Sequence, residues 1–369
     1  MKTEYKRYET MVANSTITIE TGKLAMQAGG AVTVRLGDTM MFAAVTMSSD
    51  VREGIDFFPL TVDYEERMYA GGQIPGSFFR REGRPTEEAI LTARLTDRPL
   101  RPLFPKDLRN DVQVILYAFS TDGENPIDVI GINAASTALM ISDIPWGGPI
   151  AAVRVGRIDG EFVINPTFAQ LENSDLDLRM AGTRDAILMV ECGANEVSEE
   201  DMLRALELGH QSMQPLIDIQ EKMAAEIGKP KREYTSFAPD EELQSRVYEQ
   251  VKNRLVQILE QPYEKSERYT AIDALRDEIV AAVAAEDETK ANEAKQAFDE
   301  AYKKIVRQRI LDQGIRPDNR TLTEVRPIWC EVGISPRAHG SGLFTRGETQ
   351  VLTVATLGTR RDAQELDNL

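Results

Sequence analysis

Residues 30–46 read GAVTVRLGDTMMFAAVT and residues 340–356 read GSGLFTRGETQVLTVAT, and the two strings align without a gap. Gly37 falls on Gly347, Asp38 on Glu348, Thr39 on Thr349 and Thr46 on Thr356. Each string is two runs of alternating β-forming residues joined by Gly and an acid, which is the pattern of a β-hairpin. A domain that begins twice in one chain predicts a duplicated fold. The second copy is expected to be cut short, because Leu369 follows its opening strands so closely.

The first copy reads outward from this hairpin. Residues 15–20 supply a strand before it, and residues 112–119 a buried strand after it. Residues 127–140 form a helix rich in small side chains (Ala134, Ala135, Ser136, Ala138), suited to close packing on a sheet. Residues 149–157 and 162–165 pair around Asp159-Gly160, and residues 186–191 add a last strand. Ser198 caps a long helix with Met202, Leu206, Met213 and Leu216 on one face and a kink at Pro215. The fold class is α+β, a β-sheet with packed helices. From Asp240 to about Gln313 the pattern is helical only. Its stripes are Val247, Val251, Leu255 and Ile258; Ile272, Leu275, Ile279 and Val283; and Phe298, Tyr302, Ile305 and Arg309. They read as the core of a small all-α domain. The expected organisation is a first domain over 1–235, a helical domain over 236–315 and a partial second copy over 316–369.

Composition limits the chemistry. With 369 residues, 42% hydrophobic and 28% charged, the chain is of globular type, and no apolar run is long enough to cross a bilayer. Cys192 and Cys330 lie far apart without a CxxC context and read as buried reduced thiols. Only His210 and His339 complete the Cys and His inventory, so a metal centre built on those residues is not expected. The net charge of −17 repels polyanions from most of the surface, and binding of a nucleic acid has to be concentrated locally.

One segment is made for that. GSFFRREGRPTEEAILTARLTDRPLRPLF, residues 76–104, carries Arg80, Arg81, Arg84, Arg94, Arg98 and Arg101 beside Phe78 and Phe79. Thr86 is the expected N-cap of a helix, with Glu87 and Glu88 in its first turn and Pro99 ending it after Arg98. Arg94 and Arg98 then share a face, where like charges repel unless an anion joins them. Guanidinium forks suit phosphates and aromatic rings suit bases. Pairing with Glu82, Glu88 or Asp97, and a core role for the phenylalanines, stand beside this reading.

These strings closely resemble the polynucleotide phosphorylase family, whose members contain two RNase PH-like domains around a helical one. The resemblance covers the whole chain. It implies 3′ to 5′ degradation of single-stranded RNA by phosphorolysis to nucleoside diphosphates, with reverse polymerisation, in a cytoplasmic or organelle-stroma trimeric ring that has RNA-degradation partners and no membrane contact. It implies that Phe78 and Phe79 form a constriction and that Arg80, Arg81, Arg84, Arg94 and Arg98 hold RNA phosphates. The full enzyme is implied to use Mg²⁺ or Mn²⁺. In the family's second domain the metal site is Asp, five residues, Asp, one residue, Lys. Here the first domain offers Leu171, Asp177 and Arg179 instead, and Asp175 with Asp177 reads as an ordinary pair on one face. No metal is expected on this segment, because the second-domain serines, carboxylates and lysine would lie beyond Leu369, as would KH and OB-fold modules. The segment alone is therefore expected to be inactive. Its alternatives are a non-catalytic RNA-channel and ring-assembly module, or a regulatory nucleotide site at Arg94 and Arg98. Apolar surface at Val351, Leu352 and Val354 is expected to be uncovered.

Overall fold

The computed structural model describes residues 5–75 and 82–363. Phe78, Phe79, Arg80 and Arg81 lie outside them. The first unit, up to Phe237, begins with strands β1 (Lys6–Val12), β2 (Ser15–Thr21), β3 (Gly30–Leu36), β4 (Thr39–Met47) and β5 (Leu60–Glu65). Helix α1 (Glu87–Leu100), strand β6 (Val112–Ser120) and helix α2 (Asp128–Ile141) follow. Then come β7 (Ala151–Ile158), β8 (Glu161–Ile164), α3 (Phe168–Leu171), β9 (Leu176–Gly182), β10 (Ile187–Ala194), α4 (Glu199–Ser212) and α5 (Gln214–Ile227). One sheet has the order β1-β2-β3-β4-β6-β5, with only the β5–β6 pair parallel. The other is antiparallel, in the order β10-β9-β7-β8. Helix α2 lies between them, packed against β3 and β4 on one side and β7 on the other. Asn133 of α2 is wholly buried and bonds both backbone groups of Ala152 on β7, at 2.9 and 2.8 Å. An amide that replaces two missing ladder partners fixes the helix to the strand.

The second unit starts at Ala238 with α6 (Glu241–Glu260), α7 (Lys265–Glu286) and α8 (Ala291–Gln313), followed by the sheet β11 (Ile328–Val332), β12 (Gly340–Arg346) and β13 (Thr349–Ala355). The α7 stripe and Phe298 and Ile305 of α8 form the helical core with Leu243, Val247, Val251, Leu255 and Leu259 of α6, while Tyr302 is only partly buried and Arg309 stays outside it. Ile258 is only half-buried, because a strict step of four carries the stripe to Leu259. No helix among the described residues is long and apolar enough to span a membrane.

The repeat is structural as well as textual. In the first copy Gly30 pairs with Val45 and Leu36 with Thr39; in the second Gly340 pairs with Ala355 and Arg346 with Thr349, which is the same register. Both turns place their glycine, Gly37 and Gly347, at φ 61°, a conformation that β-branched residues avoid. The surroundings differ. In the first copy Asp122 grips the turn, accepting from Asn125 N at 2.8 Å, Thr39 Oγ1 at 2.8 Å and Asp38 N at 3.1 Å. In the second, Val351, Leu352 and Val354 are about half exposed.

Three expectations need correction. Helix α1 does not stop at Arg98 but continues through Pro99 to Leu100, because both side chains are buried and Leu100 O accepts from Trp146 Nε1 at 3.0 Å. The long helix after Ser198 is not kinked but divided at Met213; Pro215 sits in the first turn of α5, where no intrahelical partner is lost. Cys192 and Cys330 are exposed, since each stands on an edge strand of its sheet.

The repeat yields a paired test. A Cβ on Gly30 would stand 2.2 Å from Ala138 O of α2, whereas one on Gly340 would meet only Ala355 Cβ at 3.6 Å. Gly30→Ala is expected to destabilise the first unit by about 2–3 kcal/mol and Gly340→Ala by less than about 0.5 kcal/mol, read as urea midpoints. Asp122 gives a second test. Burial pushes its carboxyl up, but bonds from the Asn125 backbone and side chain, Glu124 N and Thr39 outweigh that and hold it well below the usual range. Because its folded value is depressed, its stabilisation is present above about pH 4 and is lost as pH falls through the folded value. Asp122→Asn is expected to lower stability at pH 7, with the gap to wild type closing below about pH 4.

Candidate functional site

The β7–β9 register sets Arg154 directly opposite Arg179, and the β9–β10 register sets Arg179 opposite Glu191. Asp177, two residues before Arg179, faces the same side. Two cations across a strand pair repel, so this arrangement needs anions. Asp177 supplies the first: its oxygens accept from Arg154 Nε at 2.6 Å and Nη2 at 2.8 Å, and Arg179 Nη2 stands 3.3 Å away. Asp128, the first residue of α2, supplies the second, with its Oδ2 2.5 Å from Arg179 Nε and 3.4 Å from Arg154 Nη1. Glu191 extends the chain to Arg179 Nη1 at 3.7 Å and to Arg98 Nη2 of α1 at 3.0 Å. A cleft of about 350 Å³ opens over this network, lined also by Glu66, Glu88 and Phe168.

The electrostatics close the cleft to a divalent ion. Burial pushes the Asp177 carboxyl up, but Arg154 and then Arg179 outweigh it and hold it below the usual range. Burial likewise works against the Arg179 guanidinium, and Asp128 with Asp177 pushes its pKa above normal. Both oxygens of Asp177 already face Arg154, and two guanidinium groups flank the Asp128 carboxylate. Mg²⁺ wants several free carboxylate or water oxygens, and this donor set does not fit one. Among the described residues no group of three or more His, Cys, Asp or Glu could hold a metal. Asp175 does not join Asp177; it pairs with Arg157 at 3.1 Å, on a residue of β7 that alternates away from Arg154.

At the cleft's edge, burial raises Glu66 above the usual carboxylate range, opposed by the Tyr64 hydroxyl, which donates to it at 2.8 Å. The arginine-rich segment is built as its caps dictate. Thr86 accepts from Ala89 N at 3.1 Å, and Glu87 and Glu88 occupy the positive end of the dipole. Arg101 is structural: it pairs with Asp97 and donates to the carbonyls of Phe58 and Leu60. Among the described residues Glu82 accepts from Arg67 and from Met68 N. Arg84 and Arg94 are exposed and have no ion-pair or hydrogen-bond partner among the described residues. Arg94 and Arg98 line a groove of about 580 Å³ between α1 and the edge strand β5. Of the residues expected to bind phosphate, therefore, Arg94 and Arg98 line one groove and Arg84 lies before the helix start, while Arg80 and Arg81, like Phe78 and Phe79, lie outside the described residues.

Asp128, Arg154 and Glu191 belong to the site although the sequence reading passed over them. Arg154 had a signal, a lone charge in the buried run AAVRV of β7. Asp128 and Glu191 had none without knowledge of the register.

Family models match in three blocks. The 3′ exoribonuclease family, domain 1, matches residues 15–145 and again 324–368; domain 2 matches 148–212; and the polyribonucleotide nucleotidyltransferase RNA binding domain matches 242–321. A polyribonucleotide nucleotidyltransferase of Heliobacterium modesticaldum is 53% identical over 97% of this chain and 50% of its own length. Those of Herpetosiphon aurantiacus and Thermus thermophilus are 52% and 50% identical, over 97% and 98% of this chain and 47% and 52% of their own. The chain thus spans about half the length of the curated relatives it matches. The double match of domain 1 coincides with the hairpins of shared register. With RNase PH-like domains on either side of a helical block, the chain belongs to the polyribonucleotide nucleotidyltransferase branch of the 3′ exoribonuclease family.

Proposed function

We propose that this chain is the RNA-guiding part of a 3′ to 5′ exoribonuclease that cleaves single-stranded RNA with inorganic phosphate and releases nucleoside diphosphates. The observation that carries the reading is that Arg84 and Arg94 have no partner among the described residues, with Arg98 beside Arg94, in a chain of net charge −17. Arg94 shares a helical face with Arg98, whose only ion pair is with the half-exposed Glu191, and a phosphodiester chain suits such a row of guanidinium groups. Phe78 and Phe79 are assigned to base stacking, and Arg80, Arg81, Arg84, Arg94 and Arg98 to phosphate neutralisation. In the reaction a phosphate oxygen forms a bond to the terminal phosphorus as the 3′ oxygen leaves. One ester is exchanged for another, so alignment and charge cancellation do most of the work and the step reverses readily.

The reacting site itself is assigned to the second copy of the fold, with Mg²⁺ or Mn²⁺, in a cytoplasmic homotrimer. The first domain is read as non-catalytic, a reading supported by the Arg154–Asp177–Arg179–Asp128 network that occupies its cleft. A regulatory nucleotide site at Arg94 and Arg98 is the competing reading, and chain length separates the two, since a channel gains affinity with length and a nucleotide pocket does not.

Fluorescence anisotropy with labelled oligoadenylates, taken across a salt series, tests the proposal. Arg94→Ala is expected to flatten the slope of log affinity against log salt by about 0.7. Phe78→Ala with Phe79→Ala is expected to weaken binding by about 1–3 kcal/mol per stacked base at an unchanged slope. The 369-residue chain, incubated with RNA, phosphate and Mg²⁺, is expected to release no nucleoside diphosphate. Unchanged affinity in all these variants, or diphosphate release by the pure chain, would contradict the reading.

A further inference from the structure

We propose that the groove between β5 and α1 is a docking site for an extended, acidic segment of a partner protein, which joins the six-stranded sheet there as a further strand. β5 ends the sheet order, and its pairing with β6 leaves one backbone edge open. Pro59 O accepts from Val112 N of β6 at 3.0 Å, which turns the N–H and C=O of Thr61 and Asp63 towards β6 and those of Leu60, Val62 and Tyr64 the other way. Leu60 O shows this direction, because it accepts from Arg101 Nη2 at 3.2 Å. The outward N–H and C=O of Val62 have no hydrogen-bond partner among the described residues. All of β5, Leu60 to Glu65, lines the groove. Since successive side chains point to opposite faces, consecutive residues form one wall only where the strand's edge faces it.

The opposite wall is α1, along the rows Ala89, Ala93, Asp97 and Ile90, Arg94, Arg98. The two alanines keep the gap wide, and Ile90, about half exposed, adds an apolar patch. An open edge beside a helix lets an added strand gain main-chain hydrogen bonds from one wall and side-chain contacts from the other. Charge fixes the partner's chemistry. The acids of the groove are already answered: Asp63 accepts from Gln113 Nε2 at 2.9 Å, Glu65 pairs with Arg67, and Asp97 accepts from Arg101 Nε at 2.7 Å. Arg94 has no partner among the described residues, and Arg98 has the half-exposed Glu191. Arginines four apart on a helix are separated by about 6 Å along its axis, and same-face residues of a strand recur at about 6.6–6.8 Å, so two acids two residues apart meet both. An RNA backbone answers the arginines and leaves the strand edge unpaired, whereas an acidic strand answers both. The inference goes beyond the RNA reading and shares Arg94 and Arg98 with it, so a docked strand and RNA exclude one another at α1.

The probe is a fluorescein-labelled ten-residue peptide alternating valine and glutamate, read by anisotropy on the 369-residue chain beside a copy methylated at every amide nitrogen. The copy keeps the charge and has no backbone donor. The parent peptide is expected to bind at least about tenfold tighter than the copy. Val62→Pro removes an outward N–H and no ladder bond, and is expected to weaken the parent about two- to tenfold. Arg94→Ala is expected to weaken it about two- to fivefold, and an unlabelled 20-residue oligoadenylate to displace it. No binding of the parent peptide, or equal binding of the methylated copy, would overturn the proposal; so would oligoadenylate binding that falls as far as peptide binding in Val62→Pro, which would assign the edge to RNA. If Val62→Pro perturbs folding, the methylated copy still decides. Should Arg94→Ala weaken the peptide and leave oligoadenylate binding untouched, the RNA reading fails and this inference stands.

Discussion

Arg154 and Arg179 are forced opposite one another by the β7–β9 register, and the first domain is organised around neutralising them. Neither strand can slip to separate them, because a one-residue shift would send the apolar residues of β9, Leu176, Leu178 and Met180, to the wrong face. The charges must be answered in place. Asp177 does this from within the sheet and Asp128 from the first turn of α2, which ties the helix between the sheets to the charged row. Arg154 is 6% exposed, and loss of both carboxylates would leave a buried unpaired cation, a change that typically costs about 3–5 kcal/mol. The network that gives the domain its coherence also takes up the carboxylate oxygens of the cleft.

That trade is what supports the proposed division of labour. A carboxylate cannot serve as a metal ligand and as the counter-ion of two arginines at once, and here the second role is taken. The cations left over stand outside the cleft, on and before α1, where Arg84 and Arg94 have no ion-pair or hydrogen-bond partner among the described residues. The same domain therefore has a neutralised interior site and an unneutralised surface track.

Much of the fold was legible in the sequence because it is written in local periods. The hairpins of 30–46 and 340–356 follow from alternation and a Gly-acid turn, and the stripes of the helical domain from steps of three and four. What escaped was decided by tertiary contact. Pro99 stays inside α1 because Leu100 is buried, a packing preference that overrides the proline signal. The division between α4 and α5 turns on whether Pro215 sits mid-helix or in a first turn, which composition does not distinguish. Cys192 and Cys330 resemble buried thiols until strand order puts them on edges. In the site, Asp177 and Arg179 were singled out by their spacing, whereas Glu191 and Asp128 join them only through cross-strand register and the position of a helix end. Sequence spacing encodes neither.

The central claim, that the first-domain cleft is closed to metal by its own arginines, is most directly tested by titrating the chain with Mn²⁺ and following the free ion by electron paramagnetic resonance. The account predicts that Mn²⁺ remains free at micromolar concentrations, with only weak, salt-sensitive association at the acidic surface. One ion bound per chain with micromolar affinity, and released by Asp177→Asn, would contradict it.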